Sequence, residues 1–214
     1  MKKQSGFTLI ELAIVLVIIG LLLGGVLKGQ ELINSAKVKN MASDFRNIQV
    51  QVYSYQDKFR ALPGDDKAAT EHVGATAANG DGNGVISGLY NAASGESFEF
   101  WQQLRLAGLA TGTTDKTAAS YTPTNTEGGR IGIQSGSTKS ITNMSGSYIV
   151  CSEGILGKFA KQLDTTLDDG NTATGSMMAT SGTFTATTAA TAATSSGTTP
   201  TITDTDKYTV CMAF

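Results

Sequence analysis

From Phe7 to Leu27 the chain reads FTLIELAIVLVIIGLLLGGVL, 21 residues with a single charge at Glu11. As a helix rising about 1.5 Å per residue, this run spans about 30 Å, the thickness of a bilayer's hydrocarbon core. An ordinary secretory signal, opened by Lys2 and Lys3, is the competing reading. Three features oppose it. The run is longer than a typical signal core. No small-x-small cleavage site follows, because Gly25-Val26-Leu27-Lys28 leads straight into helix-forming sequence. A carboxylate also stands five residues into the run, where a plain anchor gains nothing from it. An ionisable side chain inside a membrane segment is costly and as a rule marks function.

Charge separates the rest of the chain into a stem and a head. Residues 28–60 hold six basic and three acidic side chains, whereas eight basic and fourteen acidic residues follow from Ala61 onward. The stem is therefore +3 and the head −6, within a net charge of −2. An acidic head is a poor match for phosphate neutralisation, so no nucleic-acid partner is expected. One histidine and two cysteines leave little for a His/Cys zinc site or a Ser-His-Asp triad.

MKKQSG followed by FTLIEL resembles the amino terminus of type IV pilins and the related pseudopilins. The likeness rests on the short basic leader, Gly6, Phe7, Thr8-Leu9-Ile10, Glu11 and the apolar helix, about the first thirty residues. It implies that a prepilin peptidase cuts between Gly6 and Phe7 and N-methylates Phe7. The apolar segment then stays on the mature subunit, a single-pass inner-membrane protein with its N-terminus in the cytoplasm. Lys2 and Lys3 ahead of the span agree with that orientation. The implied partners are further copies in a helical filament, other pilin subunits, the peptidase and the inner-membrane assembly machinery. Cleavage frees an ammonium at Phe7, and a buried ammonium and a buried carboxylate each need a counter-charge. Glu11 lies four residues from Phe7, so an intrachain contact is open. The family reading pairs Glu11 with the Phe7 amine of a neighbouring subunit.

Beyond the span, Val38, Met41, Phe45, Ile48, Val52, Tyr55, Phe59 and Leu62 recur at alternating spacings of three and four. This is one stripe of a helix. No proline precedes Pro63, so one helix from about Thr8 to Arg60 is expected, about 80 Å long. The stripe is too short for a coiled coil of its own and is expected to pack on the head. Gly20, Gly24, Gly25 and Gly29 weaken this helix by up to about 1 kcal/mol each relative to alanine. Many pilus subunits carry a proline where Lys28 stands here, a departure that leaves the branch of the superfamily open.

In the head, Leu62-Pro63-Gly64 is a turn signal. Asn79, Asp81 and Asn83, with Gly84 and the Val85 carbonyl, match the front half of an EF-hand calcium loop. Its twelfth position is Tyr90 and not glutamate, so Asp65, Asp66, Glu96 or Glu99 would have to supply the bidentate carboxylate. A metal-free Asn/Gly turn is the alternative, and calcium is the one cofactor the sequence raises. ESFEFWQQLRLA (Glu96 to Ala107) reads as a short helix with Trp101 as a core anchor. Together with LPGDD and NGDGNG it extends the resemblance to about Leu109.

Strands are expected at Arg130–Gln134, Lys139–Met144, Ser147–Ser152 and Tyr208–Phe214, with another short helix between Gly154 and Leu167. Sixteen threonines fall within residues 165–205, a low-complexity stretch expected to be an exposed loop or irregular strand pair. Cys151 and Cys211 each end a β-like run. In an exported head such a pair favours a disulfide over two free thiols, and the resemblance points the same way.

The expected fold class is α+β: a long N-terminal helix packed by its second half on an antiparallel sheet. The expected organisation is leader 1–6, helix 7–60 (7–27 transmembrane, 28–60 stem) and head 61–214. A structural filament subunit of a type IV pilus is the favoured function, with no catalytic residues. A type II secretion pseudopilin, or a filament-borne adhesin or minor pilin, is the alternative. His72 lacks a nucleophile, and Asp65-Asp66 and Asp168-Asp169 are adjacent pairs of the kind found in solvated turns.

Overall fold

A computed structural model describes residues 8–138, 140–182, 184–185, 188–194 and 201–214. The uninterrupted apolar and amphipathic patterns produce one helix, α1, at Leu9–Phe59. It stops where Arg60 takes a left-handed φ of 55° and Pro63 follows, a common way for a helix to end. The chain divides into two compact units, Met1–Lys37 and Val38–Phe214. In the first unit every residue from Thr8 to Leu27 is exposed. This stretch is long and apolar enough to cross a membrane.

The second unit is built on the stripe. Val38, Met41, Phe45, Ile48, Val52, Tyr55 and Leu62 are all buried, and Phe59 packs against the same core. After α1 come a single turn of helix, α2 (Ala69–His72), and then α3 (Glu96–Leu106). The strands are β1 (Ile131–Ser135), β2 (Tyr148–Leu156), β3 (Met177–Thr180) and β4 (Lys207–Ala213), with α4 (Gly157–Leu167) following β2 directly. They form one antiparallel sheet in the order β1-β2-β4-β3. The α+β architecture expected from the sequence is present.

Alternation along the strands gives the sheet two apolar faces. Ile131, Ile133, Val150, Val210, Met212, Met177 and Ala179 join the stripe of α1 and residues of α3 and α4 in the main core. Ile149, Cys151, Cys211, Ala213 and Met178 point the other way, into a second cluster with Tyr90, Ile141, Phe184 and Ala190.

Several elements differ from the sequence expectation. Strand β2 runs on to Leu156 through an irregularity between Ser152 and Ile155, where Gly154 adopts φ 70°. A bulge of this kind lets the strand bend before α4. The segment Ser140–Met144 is not a strand: Asn143 takes φ 69° and Met144 N–H closes a turn onto Ile141. Lys139 lies outside the described residues.

The threonine-rich stretch is more ordered than expected. It contains β3 and contributes the buried residues Thr172, Thr180, Phe184, Ala190, Ala193 and Ile202. Its hydroxyls can enter the interior because backbone carbonyls accept from them. Thr172 Oγ1 donates to Ala193 O at 2.7 Å, and Thr180 Oγ1 to Thr191 O at 2.7 Å.

Candidate functional site

Gly6 and Phe7, between which the resemblance places the processing cut, lie outside the described residues. Glu11 is described, and in the single chain it has a local task. Thr8 N–H and Thr8 Oγ1 donate to Glu11 Oε2 at 2.7 and 2.8 Å, while Glu11 N–H donates to Thr8 Oγ1 at 3.3 Å. This is a capping box, in which a Thr and a Glu three residues on satisfy each other's backbone N–H at a helix start. The signal Thr8-x-x-Glu11 was present in the sequence and is an element that reading Glu11 only as an assembly residue passes over. The carboxylate stays exposed at the side of an apolar helix.

A second polar concentration joins the end of α1 to α3. Asp65 and Asp66 are both buried and serve different loops. Asp66 Oδ2 accepts from Tyr55 Oη at 2.8 Å and lies 2.7 Å from His72 Nδ1, while Asp66 Oδ1 accepts from Ala68 N–H. His72 stacks on Phe59 with ring centroids 5.1 Å apart. His72 is thus part of the lock between α1 and its following turn. Burial, and then the adjacent Asp66 carboxylate, push the Tyr55 phenol up from its ordinary value.

Asp65 organises the NGDGNG loop. Its Oδ1 accepts from Gly82 N–H (2.7 Å) and Asn83 N–H (3.1 Å), and its Oδ2 from Gly84 N–H (2.7 Å). Glu96, in the first turn of α3, accepts from Asp81 N–H at 3.0 Å and Ser87 N–H at 2.8 Å. Burial raises the Asp65 carboxyl, opposed by the N–H groups of Gly84 and Gly82. Gly80 makes the close approach possible, since a Cβ there would stand 2.4 Å from the Asp65 backbone.

The four positions read as calcium ligands are therefore distributed as follows. The Asn79 amide oxygen accepts from Thr70 N–H, and the Asn83 amide oxygen accepts from Val85 N–H. Asp81 accepts from Asn83 N–H and Nδ2. Of the four, only Asp81 joins a carboxylate group, with Asp65 and Glu96, their oxygens within 4.8 Å of one another. Five backbone N–H groups already converge on Asp65 and Glu96, so this loop balances its acids with its own amides. LPGDD, NGDGNG and the start of ESFEFWQQLRLA thereby form one hydrogen-bonded unit.

Cys151 and Cys211 form a disulfide. They are direct register partners on β2 and β4, separated by 60 residues in sequence, and both are buried.

Residues 1–27 match the family model described as the prokaryotic N-terminal methylation motif. That motif, with the apolar helix and the antiparallel head, supports the type IV pilin or pseudopilin class. No curated protein and no solved structure matches the chain.

Proposed function

We propose that this protein is a structural subunit of a type IV pilus or pilus-like filament, held in the inner membrane before assembly. The observation that carries the reading is the methylation motif continuing without a break into α1. From Val38 onward the same helix contributes a buried stripe to the core of the second unit. Prepilin peptidase cuts between Gly6 and Phe7 and methylates the new amine. Glu11 leaves its contact with Thr8 on assembly and pairs with the Phe7 ammonium of the next subunit. The disulfide and the covered sheet suit a fibre exposed outside the cell.

A pseudopilin of a type II secretion system is the second reading, favoured by Lys28 standing where many pilus subunits have proline. Mass spectrometry of filaments sheared from cells tests both. A major component beginning at N-methylated Phe7 supports the pilus. A processed subunit that stays with the cell envelope supports the pseudopilus. Cleavage near residues 25–28 overturns both.

A further inference from the structure

Helix α4 buries Phe159, Ala160, Leu163 and Asp164. Three are apolar and one is an acid, at the spacing of a single helix face. Asp164 has no solvent exposure. Its Oδ1 accepts from Gly170 N–H at 2.7 Å, but its buried Oδ2 accepts no hydrogen bond among the described residues. Leaving a buried carboxylate oxygen unmet is expensive, and native interiors rarely do so.

The surroundings worsen the imbalance. Asp168 and Asp169 each bring a carboxylate oxygen into a group with Asp164, all within 4.8 Å of one another. The three acids gather at the C-terminal end of α4, whose own dipole is negative there and favours cations. The last turn of α4 has no basic residue, and no ion pair to any of the three forms among the described residues. The loop nevertheless holds the acids in place. Met177 N–H donates to Asp168 Oδ2, and Asp169 accepts from Asn171 N–H and Thr174 Oγ1. Gly175, at φ 81°, presses so close that a Cβ would overlap the Asp168 carboxylate.

We infer that Asp164, Asp168 and Asp169 bind one calcium ion, with the unpartnered Asp164 Oδ2 as its buried ligand. The donor set is all oxygen, without the imidazole or thiolate that zinc prefers. Calcium accepts six to eight oxygens in irregular geometry and fills its remaining places with water, whereas magnesium demands a near-ideal octahedron. Burial, followed by the charges of Asp169 and Asp168, pushes the Asp164 carboxyl up to about 7, which is the penalty a cation would relieve. The ion would tie the end of α4 to the start of β3. The inference does not depend on the filament reading.

The contrast with the NGDGNG loop supplies the control. There Asp65 and Glu96 are met by backbone N–H groups, so Asp81→Asn should leave calcium binding as in the wild type. The test is calorimetric titration of EDTA-stripped full-length protein in detergent with calcium chloride, beside thermal unfolding with and without the ion. One ion should bind and raise Tm. Asp164→Asn should abolish the response. Asp169→Asn, at the exposed member and unlike Asp164 no part of the core, should fold and weaken calcium about tenfold or more. Absence of heat and of any Tm shift in the wild type overturns the site. So does an affinity that Asp169→Asn leaves undiminished, or a response lost in Asp81→Asn. A wild type indifferent to calcium but stabilised on acidification identifies a shared proton between Asp164 and Asp169 instead.

Discussion

The two stretches of α1 are made of one uninterrupted helix under opposite rules. From Leu9 to Leu27 apolar residues cover every side, and none is buried; Leu16 is 69% and Leu22 64% exposed. From Val38 to Phe59 apolar residues are concentrated on one stripe, where Phe45 is 1% exposed and Val52 not at all. A helix with a packed core on one side and water on the other needs a single stripe; a helix surrounded by lipid or by other helices needs apolar residues all round. The periodicity thus records what each stretch is built to touch. Val50 and Tyr53, apolar and exposed off the stripe, are the places where the second stretch departs from its rule.

The largest expected effect tests the first stretch. Glu11→Ala should leave processed subunit in the membrane and abolish filaments, read by electron microscopy beside an immunoblot of membranes. Glu11→Gln separates the two tasks of this residue, because glutamine can also serve the capping box but brings no charge. Filaments restored by Gln would assign the role to the cap; their absence assigns it to the counter-charge. Normal filaments from Glu11→Ala would refute the pairing.

Next in size, Phe45→Ala should destabilise the second unit by about 3–5 kcal/mol, the usual cost of emptying a buried aromatic site. Leu22→Ala should not move the same transition, followed by Trp101 fluorescence in denaturant. Equal effects would break the distinction between the two stretches.

A smaller loss, about 1 kcal/mol, is expected for Tyr55→Phe, which removes the hydrogen bond to Asp66 while His72 and Ala68 still meet that carboxylate. The same unfolding measurement reads it, and an unchanged midpoint would show that the lock at the end of α1 does not need the phenol.

Smallest is Asp44, on the second stretch, whose carboxyl burial holds above its ordinary value. A carboxyl raised in the folded state gives stability that is present at low pH and lost as pH rises through the folded pKa. Asp44→Asn should therefore melt slightly higher than wild type at neutral pH, with the gap closing below about pH 4. A lower melting point at neutral pH would mean that the charge is favourably met in the folded protein.

Much of this was legible in the sequence because long periodic segments carry redundant signals. The 3–4 spacing from Val38 to Leu62 names the buried face residue by residue, and Glu96 to Leu106 fold as the helix their pattern requires. Strand β3 was not legible. Its four residues, Met177–Thr180, sit in a background of threonine, alanine, serine and glycine, too short to show a period. The burial of Thr172 and Thr180 depends on distant carbonyls at Ala193 and Thr191, partners that no local pattern reveals. Lys139–Met144 misled through β-rich composition, which Asn143 overrides by turning the chain. The candidate site was mixed. The Cys151–Cys211 link was readable, and Glu11 was conspicuous, but its contact with Thr8 was hidden behind its more unusual position in an apolar run. Asp164 could have been noticed as an acid on the apolar face of α4; the adjacent pair Asp168-Asp169 drew attention instead.

The cross-strand disulfide has a topological consequence. It closes a covalent ring that begins in β2, passes through α4, β3 and the whole threonine-rich stretch, and returns in β4. Any single break of the backbone inside that ring leaves both fragments of the chain joined. Strand β4, between β2 and β3 in the sheet, is held to β2 by its ladder and by the sulfur bridge together. A subunit nicked by an outside protease within the ring therefore remains one covalent particle, and a fibre made of such subunits would tolerate surface cuts without shedding its pieces until it met a reductant.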